Sequence, residues 1–283
     1  MIDNKLVVTY EPDNSLKKGY FQIFLEITHE IGSNRFLTYQ LFRRNFFAMY
    51  KQSFIGILWV IITPVVNICV FAMLNNSGVF NIGDIDAPYP LYALIGMSFW
   101  QIFASGLGSC GNALSSAGEM VTRINFSKKS LVFAPMGKTI VSFFIQLCLV
   151  GILFLFYRQA PSIGSFCILV VIVPIVFLTL GLGFLVAAMN AIARDIGNIL
   201  PLAITFMMYL TPVLYAKPSI GILARATQFN PMYYFVSAGR DLMLSGQISE
   251  LTGLVWSTIF SFVLFAVSLV IFHLTETRIA ERV

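Results

Sequence analysis

Residues 43–64 read RRNFFAMYKQSFIGILWVIITP. A basic, aromatic-rich segment runs into a long apolar one, and Lys51 and Gln52 are the last strongly polar pair at the border. The basic part suits the headgroup layer of a bilayer, and the apolar part suits its hydrocarbon. A soluble domain has little use for such a junction. The rest of the chain repeats the pattern, so the expected fold is an all-α polytopic membrane protein.

Composition agrees. The chain has 283 residues, 58% hydrophobic and 11% charged, with mean hydropathy +0.82. Soluble domains carry about 25% charged residues. The net charge of +5 reports topology in such a chain and does not point to nucleic acid. Cys69, Cys110, Cys148 and Cys167 all fall in apolar runs and read as packing residues, not disulfide partners. The first long apolar run begins near Phe54, too late for a cleavable signal.

A bilayer crossing needs roughly 20 apolar residues. Six runs meet that length: Phe54–Leu74, Leu91–Leu114, Leu131–Tyr157, Ile163–Ala188, Ile199–Ala216 and Leu251–Leu274. Pro64, Pro174, Pro201 and Pro212 are expected to kink or break their helices. The N-terminal part (1–53) reads as two amphipathic helices separated at Gly32-Ser33-Asn34. The second carries the stripe Tyr39, Phe42, Phe46, Met49 and Tyr50 and suits an interfacial position. Residues 217–250 hold an apolar piece too short to span, read as two short re-entrant helices hinged at Asn230-Pro231. Residues 54–274 thus form the transmembrane domain and 275–283 a tail.

Lysine and arginine counts orient the chain. The N-terminal region, the loops after the second and fourth spans and the tail hold 13; the alternate loops hold 4. Both termini are therefore expected in the cytoplasm.

Chemistry is sparse. His29 and His273 have no metal-ligand spacing to each other or to cysteine. Gly137-Lys138-Thr139 imitates the end of a phosphate-binding loop, but Val132 stands where that loop needs glycine. Lys138 reads instead as snorkelling to the interface or pairing with a lipid phosphate. The spans hold essentially no acids, which argues against ion coupling and leaves energy input to a partner. Small residues (Ser105, Gly106, Gly108, Ser109, Gly111; Gly181, Gly183, Ala187, Ala188) favour close helix approach, within the chain or across a dimer seam.

Taken in order, the motifs RRNFFAMYKQSFIGILWVIITP, YPLYALIGMSFWQIF, ARDIGNIL, TPVLY and NPMYY followed by Arg240 closely resemble permease subunits of ABC type-2 exporters, specifically those exporting O-antigen, capsule or teichoic-acid polysaccharides. The most specific part is Tyr50-Lys51-Gln52-Ser53, Gly56, Leu58-Trp59 and Pro64, with Arg194-Asp195 matching the family's pair after the fourth span. The resemblance implies a homodimer in the bacterial inner membrane, with two copies of a separate ATPase subunit that binds ATP and Mg²⁺. It implies a polysaccharide linked to undecaprenyl diphosphate as cargo. It also implies a gate built from the second amphipathic helix, for which Tyr39, Phe42, Arg43, Arg44, Phe46, Tyr50, Lys51 and Trp59 are the candidates. The coupling region would be about 113–130, with Glu119, Arg123, Lys128 and Lys129 at or beside the ATPase contact. The family's Lys-x-x-Phe-Pro-x-Glu pattern is replaced there by Arg123-Ile124-Asn125-Phe126-Ser127-Lys128-Lys129. Two alternatives stay open: a type-2 permease for a smaller lipid or drug, and a membrane-embedded transferase acting on polyprenyl-linked sugars.

Overall fold

A computed structural model describes residues 20–51, 56–77, 85, 87–118, 127–217 and 221–280. Among these, every regular element is a helix. Two N-terminal helices, α1 (Tyr20–Ser33) and α2 (Arg35–Lys51), are separated at Asn34, where the sequence places the break. A 3-10 turn at Gly56–Leu58 leads into α3 (Trp59–Asn76). Next come α4 (Tyr89–Gly111), the short α5 (Ala113–Ala117) and α6 (Lys128–Phe156). A second 3-10 segment, Ile163–Ile168, runs into α7 (Leu169–Ile192), followed by α8 (Asp195–Leu210). The chain ends with α9 (Ile222–Gln228), α10 (Pro231–Leu244) and α11 (Leu251–Ala280).

Four of these stretches are long and apolar enough to cross a membrane: Tyr89–Gly111, Lys128–Phe156, Ile163–Ile192 and Leu251–Glu276. Two apolar helices are shorter, Trp59–Val70 and Asp195–Leu210. All six lie where apolar runs stand in the sequence. The fifth differs in its bounds, Asp195–Leu210 against an expected Ile199–Ala216. Pro212 explains the early stop: it disfavours helical backbone at the residue before it, and Thr211 is extended (φ −101°, ψ 125°). At the other end, Asp195 in the first turn suits the positive end of the helix dipole. Pro64, Pro174 and Pro201 lie inside continuous helices, as does Pro135.

The core is built around α4, which is buried on most sides between α6 and α7. Its small residues make this possible. A Cβ on Gly106 would stand 2.7 Å from Thr179, and one on Gly183 of α7 would stand 2.8 Å from Cys110. Helix α7 then receives α11 on its far side, where a Cβ on Gly181 would reach the Phe265 backbone at 3.0 Å. The small-residue clusters thus face partners within the chain. Rings fill the remaining space, Phe184 lying 5.1 Å from Phe133 and 5.0 Å from Phe272.

Helices α9 and α10 meet at Asn230-Pro231, the expected hinge, where the Asn230 side chain accepts from Met232 N at 3.0 Å and caps α10. Buried Arg240 of α10 secures the broken end of α8. Its Nη1 donates to the Pro212 carbonyl at 2.9 Å and to Tyr92 Oη at 2.8 Å, and its Nη2 donates to the Val213 carbonyl. The guanidinium also lies 3.8 Å from the centroid of the Tyr92 ring. Nearby, Glu250 accepts from Tyr233 Oη at 2.8 Å and pairs with Lys217.

Candidate functional site

Helix α2 lies along α6. Its aromatic stripe stacks along the helix, with ring centroids 6.3 Å apart for Tyr39–Phe42 and 5.8 Å for Phe42–Phe46. Phe42 faces inward onto Gly137 of α6, where a Cβ would stand 2.7 Å from the ring. That glycine belongs to the phosphate-loop look-alike, and its place in the fold is a seat for α2. Tyr39 and Phe47 are exposed on the outer side. The side chains of Tyr50 and Lys51, and all of Ser53, lie outside the described residues, as do Glu119 and Arg123.

Arg43 and Arg44 are neighbours among the expected gate residues. The structure separates them. The Arg43 guanidinium lies 5.9 Å from the Phe47 ring centroid. Arg44 shares Asn45 Oδ1 between Nε (3.4 Å) and Nη2 (3.3 Å). Arg44 and Asn45 line a cleft of about 450 Å³ with Ser109 of α4, Asn112 at its C-terminal end, Ser116 of α5 and Lys138 of α6. Two cations and several hydroxyl and amide groups thus converge between α2 and the α4–α6 pair, a donor set suited to an anion.

The floor of this cleft is held by Asn190, a residue the sequence did not single out. Its Nδ2 donates to Asn112 Oδ1 (2.9 Å) and the Gly111 carbonyl (3.2 Å), and its Oδ1 accepts from Gly197 N (3.0 Å). It ties α4, α7 and α8 together beside the Arg194-Asp195 turn, where both charged side chains are exposed. Gly56 occupies positive φ (53°) in the turn before α3, a conformation that favours glycine. Trp59 is half exposed and Pro64 buried on α3.

A second charged centre lies at the start of α6. Lys129 is 1% exposed and bound by two carboxylates, Glu30 of α1 at 2.8 Å and Glu276 of α11. Ser127 Oγ donates to Glu30 Oε1 at 2.6 Å, and the Lys128 backbone N–H donates to Glu276 Oε1 at 3.0 Å. His273 Nδ1 stands 3.8 Å from Glu30 Oε2. Burial pushes the Glu30 carboxyl up, but the hydrogen bonds from Lys129 and Ser127 and the lysine charge outweigh it and hold it below its ordinary 4.5. Glu30, His273 and Glu276 lie close enough together to hold a cation, and the Lys129 ammonium fills that role by bridging the two carboxylates. Lys129, within the expected coupling region, therefore ties three segments together, with its ammonium turned away from solvent.

The sequence matches the family model described as ABC-2 type transporter over residues 37–244. It is 24% identical over 263 residues to the O-antigen export system permease protein RfbA of Myxococcus xanthus, covering 92% of this chain and 100% of the relative. Two proteins of the same description from Klebsiella pneumoniae are 28% and 27% identical over 241 residues, each match covering 82% of this chain and 89% of the relative. The region matched by the family model runs from α2 to the end of α10 and contains the Arg44–Lys138 cleft.

Proposed function

The chain belongs to the ABC-2 type transporter family, and on that premise we propose that it is the permease subunit of an ATP-driven exporter of lipid-linked, O-antigen-like polysaccharide. The observation that carries this reading is the near full-length likeness to permeases of O-antigen export systems. The working assembly is a homodimer in the bacterial inner membrane with two copies of an ATPase subunit, which bind ATP and Mg²⁺. The cargo is a glycan on undecaprenyl diphosphate. Both termini face the cytoplasm.

In this reading α2 is the gate. Its aromatics hold it at the interface, Trp59 stands at the entry to α3, and Arg43 and Arg44 meet the phosphates of the incoming lipid. Glu119, Arg123 and Lys128 lie at or beside the ATPase contact. Lys129 passes movement of that region to α1 and α11. The charge chemistry is supported by the Arg44–Lys138 cleft.

The test is reconstitution of the permease with its ATPase partner in vesicles holding lipid-linked glycan on one side. The expected result is ATP-dependent appearance of glycan on the other side. Vesicles that hydrolyse ATP but move only a small lipid or drug would overturn the polysaccharide reading.

A further inference from the structure

Lys138 is the charged residue that lies farthest along α6. It stands ten residues beyond Lys128, about 15 Å along the helix at 1.5 Å per residue. Among the described residues its ammonium has no ion-pair or hydrogen-bond partner. An uncompensated charge inside an apolar span marks a site that awaits a counter-charge.

Lys138 borders two cavities. One is the cleft of about 450 Å³ with Arg44 at its edge. The other, about 160 Å³, lies between α3, α4 and α6 and is lined by Trp59, Gln101, Ser142 and Gln146. Lys138, Ser142 and Gln146 recur every four residues, so one face of α6 carries a polar stripe into the span. Gln146 is 2% exposed; its Nε2 donates to the Val60 carbonyl at 3.5 Å, and among the described residues its Oε1 has no partner. A buried amide oxygen left in this state calls for a donor from whatever fills the cavity.

We propose that the α4–α6 cleft binds a lipid-borne phosphate, with Lys138 as its charge anchor, Arg44 at its mouth and the Gln101–Ser142–Gln146 wall receiving the group attached to the phosphate. The ligand is taken as anionic, because two cations converge on the cleft and, among the described residues, no acidic side chain lines it. It is taken to arrive on a lipid, because the anchor stands inside a membrane-spanning helix packed against α2, which exposes the rings of Tyr39 and Phe47. The assignment of the attached group as a glycan rests on the proposed function; the phosphate preference does not.

The experiment places the full-length permease in nanodiscs with one of three photoactivatable probes. These are a short-chain polyprenyl diphosphate, a phosphatidylglycerol and a diacylglycerol lacking phosphate. Capture of a phosphate-bearing probe on α4 and α6 peptides should fall about tenfold in Lys138→Met, the factor belonging to one charge-assisted hydrogen bond. Lys138→Arg should retain it, and diacylglycerol capture should not change. If Lys138→Met does not assemble, Lys138→Gln is read in its place. Loss confined to the polyprenyl probe assigns the site to cargo; loss for both phosphate probes assigns it to lipid phosphate in general. Equal capture of both phosphate probes by wild type and the neutral variants overturns the proposal, whatever the vesicle assay gives. Lys138-dependent capture in a permease that translocates no glycan would instead keep the site and remove the proposed cargo.

Discussion

Arg240 shows how one side chain can decide a local fold. Pro212 stops α8 and leaves carbonyls at residues 212 and 213 without helical partners; the Arg240 fork supplies the donors. Lysine has a single charged nitrogen and cannot span both carbonyls and Tyr92. Arg240→Lys is therefore expected to cost about 2 kcal/mol or more, the scale of a buried polar group left unpaired. A thermal melt of the purified protein checks this, and an unchanged midpoint would show that the fork is dispensable. Glu30 makes a pH prediction. Its folded-state pKa lies below 4.5, so its contribution is fully present above the unfolded value and is lost as pH falls through the folded one. Proteolytic release of α1 should stay slow from neutral pH down to about 4.5 and rise below it. Glu30→Gln should release α1 at every pH. The sequence could not reveal these partners, because Lys129 lies 99 residues from Glu30 and 147 from Glu276. Lys138 was more legible: the recurrence of Lys138, Ser142 and Gln146 in an apolar run was there to be read.

At the scale of elements, the contact that matters is α2 against α6. Phe42 fits because Gly137 has no side chain. Gly137→Leu should push α2 away while the α4–α7–α11 packing persists, since none of those contacts involves this position. A Phe42→Cys/Gly137→Cys pair should crosslink readily in an otherwise cysteine-free chain. Gly137→Leu should lower glycan translocation severalfold with membrane insertion unchanged; wild-type translocation would detach the gate from this seat. Apolar runs, the break at Asn34 and the Asn230-Pro231 hinge were all visible in sequence, because each follows from local chemistry. The end of α8 was visible less well: apolar residues continue to Ala216, and length alone overrode the stop set by Pro212.

Across the whole molecule, the Lys129 cluster and the Lys217–Glu250 pair mark opposite ends. Glu250 precedes and Glu276 lies near the end of α11, a helix of 30 residues and about 45 Å. The N-terminal helix, the start of α6 and the end of α11 thus meet at one end, in keeping with the shared side expected from the basic residues. If that side is the cytoplasm, Gly221→Cys at the other end should react with an impermeant thiol reagent added outside, once the four free cysteines are replaced. Reaction only from the cytoplasmic side would invert the topology. The Lys129 cluster also bears on how the protein is made. Synthesis places Lys129 in the membrane long before Glu276 emerges, so the ammonium waits with only one of its two carboxylates. Helix α1, held by that same lysine, gains its full lock only when the last helix has been threaded. A quality-control protease would find a loose N-terminal helix on an unfinished chain and a fastened one on a finished chain, so that completion at one terminus is registered at the other.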